Sequence, residues 1–186
     1  MSQISIHRLC REGSKALGPG LRYVVWTQGC PLHCKGCLTP GGHSTERRMT
    51  VKATELAEDI ASRKNITGVT ISGGEPFIQA DALSDMVEKL HTIRPELTVI
   101  IFTGFLKENL IEPQQQRLLS MTDLLIDGPY VEEKNNGKGL RGSSNQRLHF
   151  LTDRLLEHRE ELEYGKRRLE VIVSNKEIIQ IGIPNK

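Results

Sequence analysis

The chain has 186 residues, of which 25 are basic and 23 acidic, so its formal net charge is only +2. That length predicts a single domain, residues 1–186, with a real hydrophobic core. So small a net charge excludes a dedicated nucleic-acid-binding protein. No apolar run is long enough to cross a membrane and residues 1–4 do not begin a secretion signal, so we expect a cytoplasmic protein with reduced thiols.

The first part of the chain predicts two strands that flank a loop. Residues 3–8 alternate weakly in polarity, and residues 23–27 are β-branched and aromatic, so both segments are interpreted as strands. Residues 11–21 contain several glycines and a proline, which favours a loop. The second strand leads directly into a loop rich in cysteine that begins at Gly29.

After the cysteine loop, helix and strand patterns alternate. Thr50 or Thr54 can cap a first helix that runs to about residue 63. The other predicted elements are strands at residues 68–72, 97–103, 123–127 and 147–151 and helices at residues 80–93 and 113–119. Residues 153–164 are interpreted as a solvated helix or a long hairpin, and residues 168–174 and 178–183 are β-rich.

The alternation of strands and helices predicts an α/β fold with a parallel sheet. An eight-stranded barrel of this kind needs about 250 residues, so an open, partial barrel is the better prediction for this chain. Residues 128–146 form the longest irregular stretch, and loops of that length are usually functional or disordered. The run of basic residues 166–168 is interpreted as the solvated end of an element.

Three of the four cysteines lie within eight residues, in the spacing C-x3-C-x2-C. Cys30, Cys34 and Cys37 can therefore converge on one metal centre, and three thiolates leave one coordination position open. An iron–sulfur cluster held by three cysteines has one iron free for a ligand, whereas an ordinary electron-transfer cluster uses four. A zinc site remains an alternative, since His33 or His43 could supply a fourth ligand.

The motifs that follow decide between these alternatives. The pattern resembles the radical S-adenosylmethionine (SAM) superfamily, and within it the activating enzymes of anaerobic ribonucleotide reductase and pyruvate formate-lyase. The resemblance covers about residues 18–150. It is carried by the cysteine motif and by the segments at residues 18–30, 72–76, 103–105, 125–129 and 141–146.

The resemblance implies a partial (β/α)6 barrel of the TIM type, open on one side. It implies one 4Fe–4S cluster whose fourth iron binds SAM, and an electron donor such as flavodoxin or ferredoxin. Reductive cleavage of SAM would give a 5′-deoxyadenosyl radical, which abstracts hydrogen from a polypeptide substrate. Both main motifs follow predicted strands, so we expect them to meet at the carboxyl ends of those strands.

The resemblance also assigns individual site residues. Cys30, Cys34 and Cys37 would hold the cluster. The cofactor-binding residues would be Gly36, Leu38, Gly73, Gly74, Glu75, Asp127, Ser143 and Asn145. Two glycines allow a close approach of the backbone, and a carboxylate suits the SAM ammonium group.

Structural roles are open alternatives for several of these residues. Glu75 could follow the glycines as a surface residue, and Asp127 could cap the next turn from a buried position. Ser143 and Asn145 could order a polar loop together with Arg141. Cys10 is interpreted as a small buried residue.

The substrate is the point at which the sequence departs from the activating enzymes. They commonly carry asparagine two positions after the last cysteine, where this chain has Thr39, and residues 151–186 match none of their motifs. One alternative is therefore an enzyme that modifies a ribosomally made precursor peptide, as spliceases do with a small recognition partner. A non-catalytic zinc or electron-carrier domain and a radical SAM enzyme for a small molecule are further alternatives.

Overall fold

The computed structural model describes residues 2–46, 49–173 and 178–184. Within these ranges the chain forms nine strands and four α-helices, which are joined by loops and short 3-10 turns. The strands are β1 (Gln3–Ser14), β2 (Arg22–Thr27), β3 (Met49–Lys52), β4 (Gly68–Gly73), β5 (Thr98–Phe102), β6 (Leu124–Asp127), β7 (Arg147–Phe150), β8 (Leu169–Val173) and β9 (Ile178–Gly182). The helices are α1 (Ala53–Ser62), α2 (Ala80–Ile93), α3 (Pro113–Ser120) and α4 (Arg159–Tyr164).

A mixed sheet of seven strands forms the centre of the molecule. Its order is β3-β1-β2-β4-β5-β6-β7. The inner strands β2, β4, β5 and β6 are parallel, whereas β1, β3 and β7 pair antiparallel at the two sides. The sheet is open in the described ranges, with β3 and β7 as its edges, and the predicted α/β class is confirmed.

The parallel strands are buried on both faces, as expected when layers cover both sides of a sheet. On one face Val25, Ile71 and Ile101 belong to the cluster that contains the apolar sides of α1, α2 and α3. On the other face Val24 and Ile100 pack with residues from the C-terminal part of the chain. Alternate residues of each strand therefore pack into two separate hydrophobic cores, one on each face of the sheet.

Several predicted elements have the observed position and type. The helix at residues 80–93 is α2, and the strands at residues 23–27, 68–72 and 97–103 are β2, β4 and β5. The helix alternative for residues 153–164 is also confirmed, as a 3-10 turn at Asp153–His158 that runs into α4. The first helix is confirmed as α1, but Lys52 precedes it without a side-chain bond, so neither threonine caps it.

The N-terminal region differs from the prediction in two ways. β1 extends to Ser14, into the segment predicted as a loop, because Cys10 and Ser14 pair with Val24 and Arg22 of β2. The short strand β3 was not predicted at all, and it forms by pairing with the start of β1. In both places pairing with a neighbouring strand overrides the local turn signals.

The C-terminal segment covers the second face of the sheet. Leu155, Leu162, Ile181 and Ile183 are buried there, and β8 and β9 form a separate antiparallel sheet of two strands. The predictions at residues 168–174 and 178–183 are confirmed as these strands, although residue 174 lies outside the described residues. In the part of the chain that the structure describes, no helix is long and apolar enough to cross a membrane.

Candidate active site

The candidate site lies where β2 and β4 end side by side. Thr27 of β2 is in register with Gly73 of β4, so the cysteine loop and the glycine-rich turn begin together. The loop is tied down by its own backbone, since the Gly29 N–H donates to the Gly42 oxygen at 2.8 Å. The Glu75 N–H donates to the Gly29 oxygen at 2.8 Å, which joins the two loops. The two motifs therefore meet at the carboxyl ends of neighbouring parallel strands, as predicted.

Gly73 and Gly74 allow these two loops to approach so closely. Gly73 has a φ of +102°, and a Cβ atom there would lie 2.5 Å from the Thr27 nitrogen. A Cβ at Gly74 would lie 2.2 Å from the Gly29 carbonyl oxygen. Both obstacles are backbone atoms, which cannot move aside as a flexible side chain can. The glycines therefore join the strand end to the cysteine loop.

Three cysteines line one cavity. Cys30, Cys34 and Cys37 are half-exposed and border an open cavity of about 320 Å³. The Thr39 N–H donates to the Cys37 Sγ atom at 3.4 Å, and hydrogen bonds of this kind tune the sulfurs of iron–sulfur clusters. Cys10, by contrast, is buried in β1, where burial raises the pKa of its thiol.

The arrangement of the three thiols fits a cluster. In the described ranges, no three His, Cys, Asp or Glu side chains are placed to hold one metal ion together. The geometry required by a cluster differs from that of a single ion. Each cysteine binds a different iron, so the three thiols must lie around a space large enough for the cluster. Burial raises the pKa of both Cys30 and Cys37, so cluster binding must displace protons from these thiols.

Glu75 is a buried member of the cavity wall and only 1% exposed. Its Oε1 atom accepts hydrogen bonds from the Thr103 hydroxyl at 2.7 Å and from the Phe77 N–H at 3.0 Å. Its Oε2 atom accepts one from the Gly104 N–H at 2.8 Å. The carboxyl group therefore connects the turn after β4 to the turn after β5, and it is not the surface residue of the alternative interpretation.

Burial raises the pKa of Glu75 to about 7, although the hydrogen bonds from Thr103, Phe77 and Gly104 act to lower it. A raised pKa means that the folded state holds the proton more tightly than the unfolded state does. The protonated Glu75 carboxyl group therefore stabilises the folded state most at low pH, and this stabilisation is lost as the pH rises towards 7.

We expect the free energy of unfolding of the metal-free protein to fall by roughly 2 kcal/mol more in the native chain than in Glu75→Gln between pH 5 and pH 8. Glutamine does not titrate, so it removes this contribution and leaves those of the other groups. Urea denaturation at both pH values measures the difference. Equal pH profiles for the two proteins would show that Glu75 keeps an ordinary pKa.

The remaining predicted cofactor-binding residues differ in how far they are exposed. Leu38 is 44% exposed and lines the cavity. Gly36 is exposed in the cysteine loop, where a Cβ atom would lie 2.8 Å from the carboxyl carbon of Glu132. Lys35 and Glu133 form an ion pair at 3.4 Å next to this contact. The cysteine loop therefore touches the long loop at residues 128–146.

Asp127, Ser143 and Asn145 make contacts within the protein around the same long loop. The fully buried Asp127 carboxylate accepts from the Arg147 Nε at 2.9 Å and from the Lys107 N–H at 2.7 Å. The Ser143 hydroxyl accepts from the Val131 N–H. The Asn145 amide donates to the Pro129 oxygen at 2.8 Å, and its Oδ1 atom is buried without a partner among the described residues.

Sequence reasoning missed two residues that shape this loop. Gln146 lines the cavity, accepts from the Gly142 N–H at 2.7 Å and donates to the Gly128 oxygen at 2.8 Å. Arg167 was expected to be solvated, yet it is half-buried and donates to the Asn135 side chain at 2.7 Å and the Pro184 oxygen at 2.9 Å. A run of basic residues does not predict such hydrogen-bond partners, because the tertiary fold brings them close from distant parts of the chain.

The family model for the 4Fe-4S single cluster domain matches residues 16–149. This range contains the three cysteines, the glycine-rich turn and the long loop described above. The chain therefore belongs to the 4Fe-4S single-cluster domain family.

The relatives place it among radical SAM activating enzymes. The chain is 31% identical over 144 residues to the anaerobic ribonucleoside-triphosphate reductase-activating protein of Vibrio cholerae, covering 73% of this chain and 91% of that relative. The protein of the same name from Enterobacteria phage T4 is 32% identical over 148 residues, covering 76% and 91%. The pyruvate formate-lyase-activating enzyme of Listeria monocytogenes is 31% identical over 119 residues, and the match spans 46% of that relative. The resemblance found in the motifs is thus confirmed.

Proposed function

We propose that this chain is a radical SAM activating enzyme that forms a glycyl radical on an anaerobic ribonucleotide reductase. The observation that carries the proposal is the set of three half-exposed thiols, Cys30, Cys34 and Cys37, around one cavity beside the glycine-rich turn. When bound, a 4Fe–4S cluster and SAM supply an electron and a carbon-centred radical that can abstract hydrogen from the substrate.

The chain's own residues hold and enclose these groups. Cys30, Cys34 and Cys37 would hold the 4Fe–4S cluster. Gly73 and Gly74 place the end of β4 against the cysteine loop. Glu75 holds the turn after β5 in position through the Gly104 N–H, and its carboxyl group in the cavity wall would bind the SAM ammonium. This support from hydrogen bonds is what a preorganised site needs.

Of the other predicted cofactor-binding residues, Leu38 lines the cavity. Gly36 and Leu38 flank the last cysteine and would lie near the adenine end of SAM. Asp127, Ser143 and Asn145 would support the site indirectly, through their hydrogen bonds within and next to the long loop.

The open sheet takes the place of the partial (β/α)6 barrel that the resemblance implies, with four parallel strands instead of six, and its unclosed side would give a large substrate access to the cavity. The half-exposed thiols also allow electron transfer from a flavodoxin or ferredoxin. The whole chain acts as one domain in the cytoplasm, where thiols stay reduced. The names of the relatives from Vibrio cholerae and phage T4 support a ribonucleotide reductase as the substrate.

The experiment is an anaerobic reaction of the cluster-loaded protein with SAM, a reductant and the anaerobic reductase from the same genome. We expect 5′-deoxyadenosine to form and a glycyl radical to appear in the electron paramagnetic resonance spectrum of the reductase. Reductase whose radical-bearing glycine is replaced by alanine is the control and is expected to give no radical signal.

Two outcomes would contradict the proposal in different ways. Cleavage of SAM without a glycyl radical would leave the radical chemistry intact and move the substrate to another polypeptide, such as a precursor peptide. Failure of the cluster-loaded protein to cleave SAM would remove the enzymatic function itself.

A further inference from the structure

The hairpin of β8 and β9 lies beyond the residues matched by the family model. It is anchored against the end of β1. The Glu170 carboxylate accepts hydrogen bonds from the Ser14 hydroxyl at 2.7 Å and the Lys15 N–H at 3.0 Å. Ile181 and Ile183 are buried in the core beneath. An isolated hairpin is marginally stable in water, so these contacts hold this one in a defined position.

β9 borders the cavity that contains the three cysteines. The cavity wall includes Ile179, Gln180 and Gly182 of β9 and Ile183, which follows the strand, whereas no residue of β8 lines it. Ile179 and Gln180 are neighbours in a strand, so their side chains point to opposite faces of the hairpin. Residues from both faces reach the same cavity, so the cavity lies along the outer edge of β9.

No other described strand pairs with this outer edge. β9 pairs with β8 alone within the described residues, in the register Val171 to Gln180 and Ile172 to Ile179. In such a pair every second residue directs its backbone N–H and C=O away from the partner strand. Proteins usually protect such edges with lysine or proline, yet Leu169–Val173 and Ile178–Gly182 contain neither. Their single charged residue, Glu170, is bonded towards β1.

We propose that the outer edge of β9 binds an extended segment of the polypeptide substrate as an added β-strand. This inference rests on the proposed function, which supplies the polypeptide. Five residues of β9 span roughly 17 Å, so an added strand would run along the cavity wall. Main-chain hydrogen bonds hold a peptide in such a mode with little demand on its sequence, and they would place its backbone beside the reacting centre.

The variant Gln180→Lys tests the edge, and Val171→Lys is its matched control. The two residues stand opposite each other in register on the same face of the hairpin. A lysine at the edge of β9 hinders the addition of a strand, whereas Val171 is 61% exposed on the strand that does not reach the cavity. The substrate used is the anaerobic reductase from the same genome, with cluster-loaded enzyme throughout.

We expect the reductase concentration at half-maximal glycyl radical formation to rise about tenfold in Gln180→Lys, which corresponds to the loss of about 1.4 kcal/mol of binding. Val171→Lys is expected to match the native chain. Backbone hydrogen exchange provides a second measurement. Alternate N–H groups in residues 178–182 should exchange quickly in the enzyme alone and become protected when the reductase is added.

Several results would overturn the inference. An equal loss in both variants would place the substrate on the exposed face of the hairpin, and no loss in either would place it elsewhere. If Gln180→Lys weakened SAM binding as much as it weakened reductase binding, Gln180 would be a residue of the cofactor site and not of the substrate site. Failure of the native enzyme to cleave SAM would instead reject the proposed function, and this outcome is separate because it is measured without the reductase.

Discussion

Alanine at Cys30, Cys34 or Cys37 is expected to abolish the 4Fe–4S cluster, so that iron falls from about four atoms per chain to almost none. Each of these thiols lines the same cavity. Loss of one leaves too few ligands around the space, and no other cysteine follows Cys37 in the sequence. SAM cleavage should disappear together with the cluster.

Cys10→Ala is the matched control for this prediction. Cys10 is 4% exposed in β1 and belongs to the core cluster on the second face of the sheet, so it should affect packing alone. Anaerobic reconstitution followed by iron and sulfide analysis measures the outcome, with the visible absorption of the cluster as a second signal. A cluster that survives in Cys34→Ala, or is lost in Cys10→Ala, would show that the ligand set is wrong.

Gly74→Ala is expected to destabilise the protein by about 3 kcal/mol and to impair cluster assembly, because its new Cβ would meet the Gly29 carbonyl oxygen at 2.2 Å. Relief of this overlap requires the end of β4 and the cysteine loop to separate. That movement would break the hydrogen bond from the Glu75 N–H to the Gly29 oxygen. Cluster binding should therefore fall even though every cysteine remains.

Gly104→Ala is the control for the added methyl group. A Cβ there would also lie 2.2 Å from its nearest atom, but that atom is the Cδ1 at the end of the flexible Leu32 side chain. Its N–H can still donate to Glu75, so we expect a cost below about 1 kcal/mol. Urea denaturation and the iron content of both variants measure the difference. Equally small effects would mean that the two loops separate at little cost, and equally large effects would mean that displacement of Leu32 also disrupts the cysteine loop.

The central elements could be predicted because their sequence signals are local. The apolar run of β5 and the helical spacing of α2, which ends before Pro95, fix those elements without reference to other parts of the chain. β3 and the end of β1 could not be predicted in this way, because β3 forms by pairing with the start of β1 and the end of β1 forms by pairing with β2.

The same distinction applies to the site. The cysteine spacing and the glycine-rich turn are local motifs, and the order of parallel strands brings them together at one edge of the sheet. Gln146 and the residues of β9 reach the cavity only through the path of the folded chain. The hydrogen bonds of Glu75 with Thr103 and Gly104 also join distant segments, so its burial had no signal in the sequence.

The alternation along β9 has an evolutionary consequence. Ile181 and Ile183 are buried in the core, whereas Ile178 and Gln180 are exposed on the hairpin. Selection for a stable fold therefore acts on Ile181 and Ile183, and also on Gly182, where a Cβ atom would lie 2.2 Å from the Arg168 oxygen, whereas Ile178 and Gln180 are less restricted. Changes at Ile178 and Gln180 could therefore alter the binding of a substrate, while the cysteine loop after β2 keeps its three thiols.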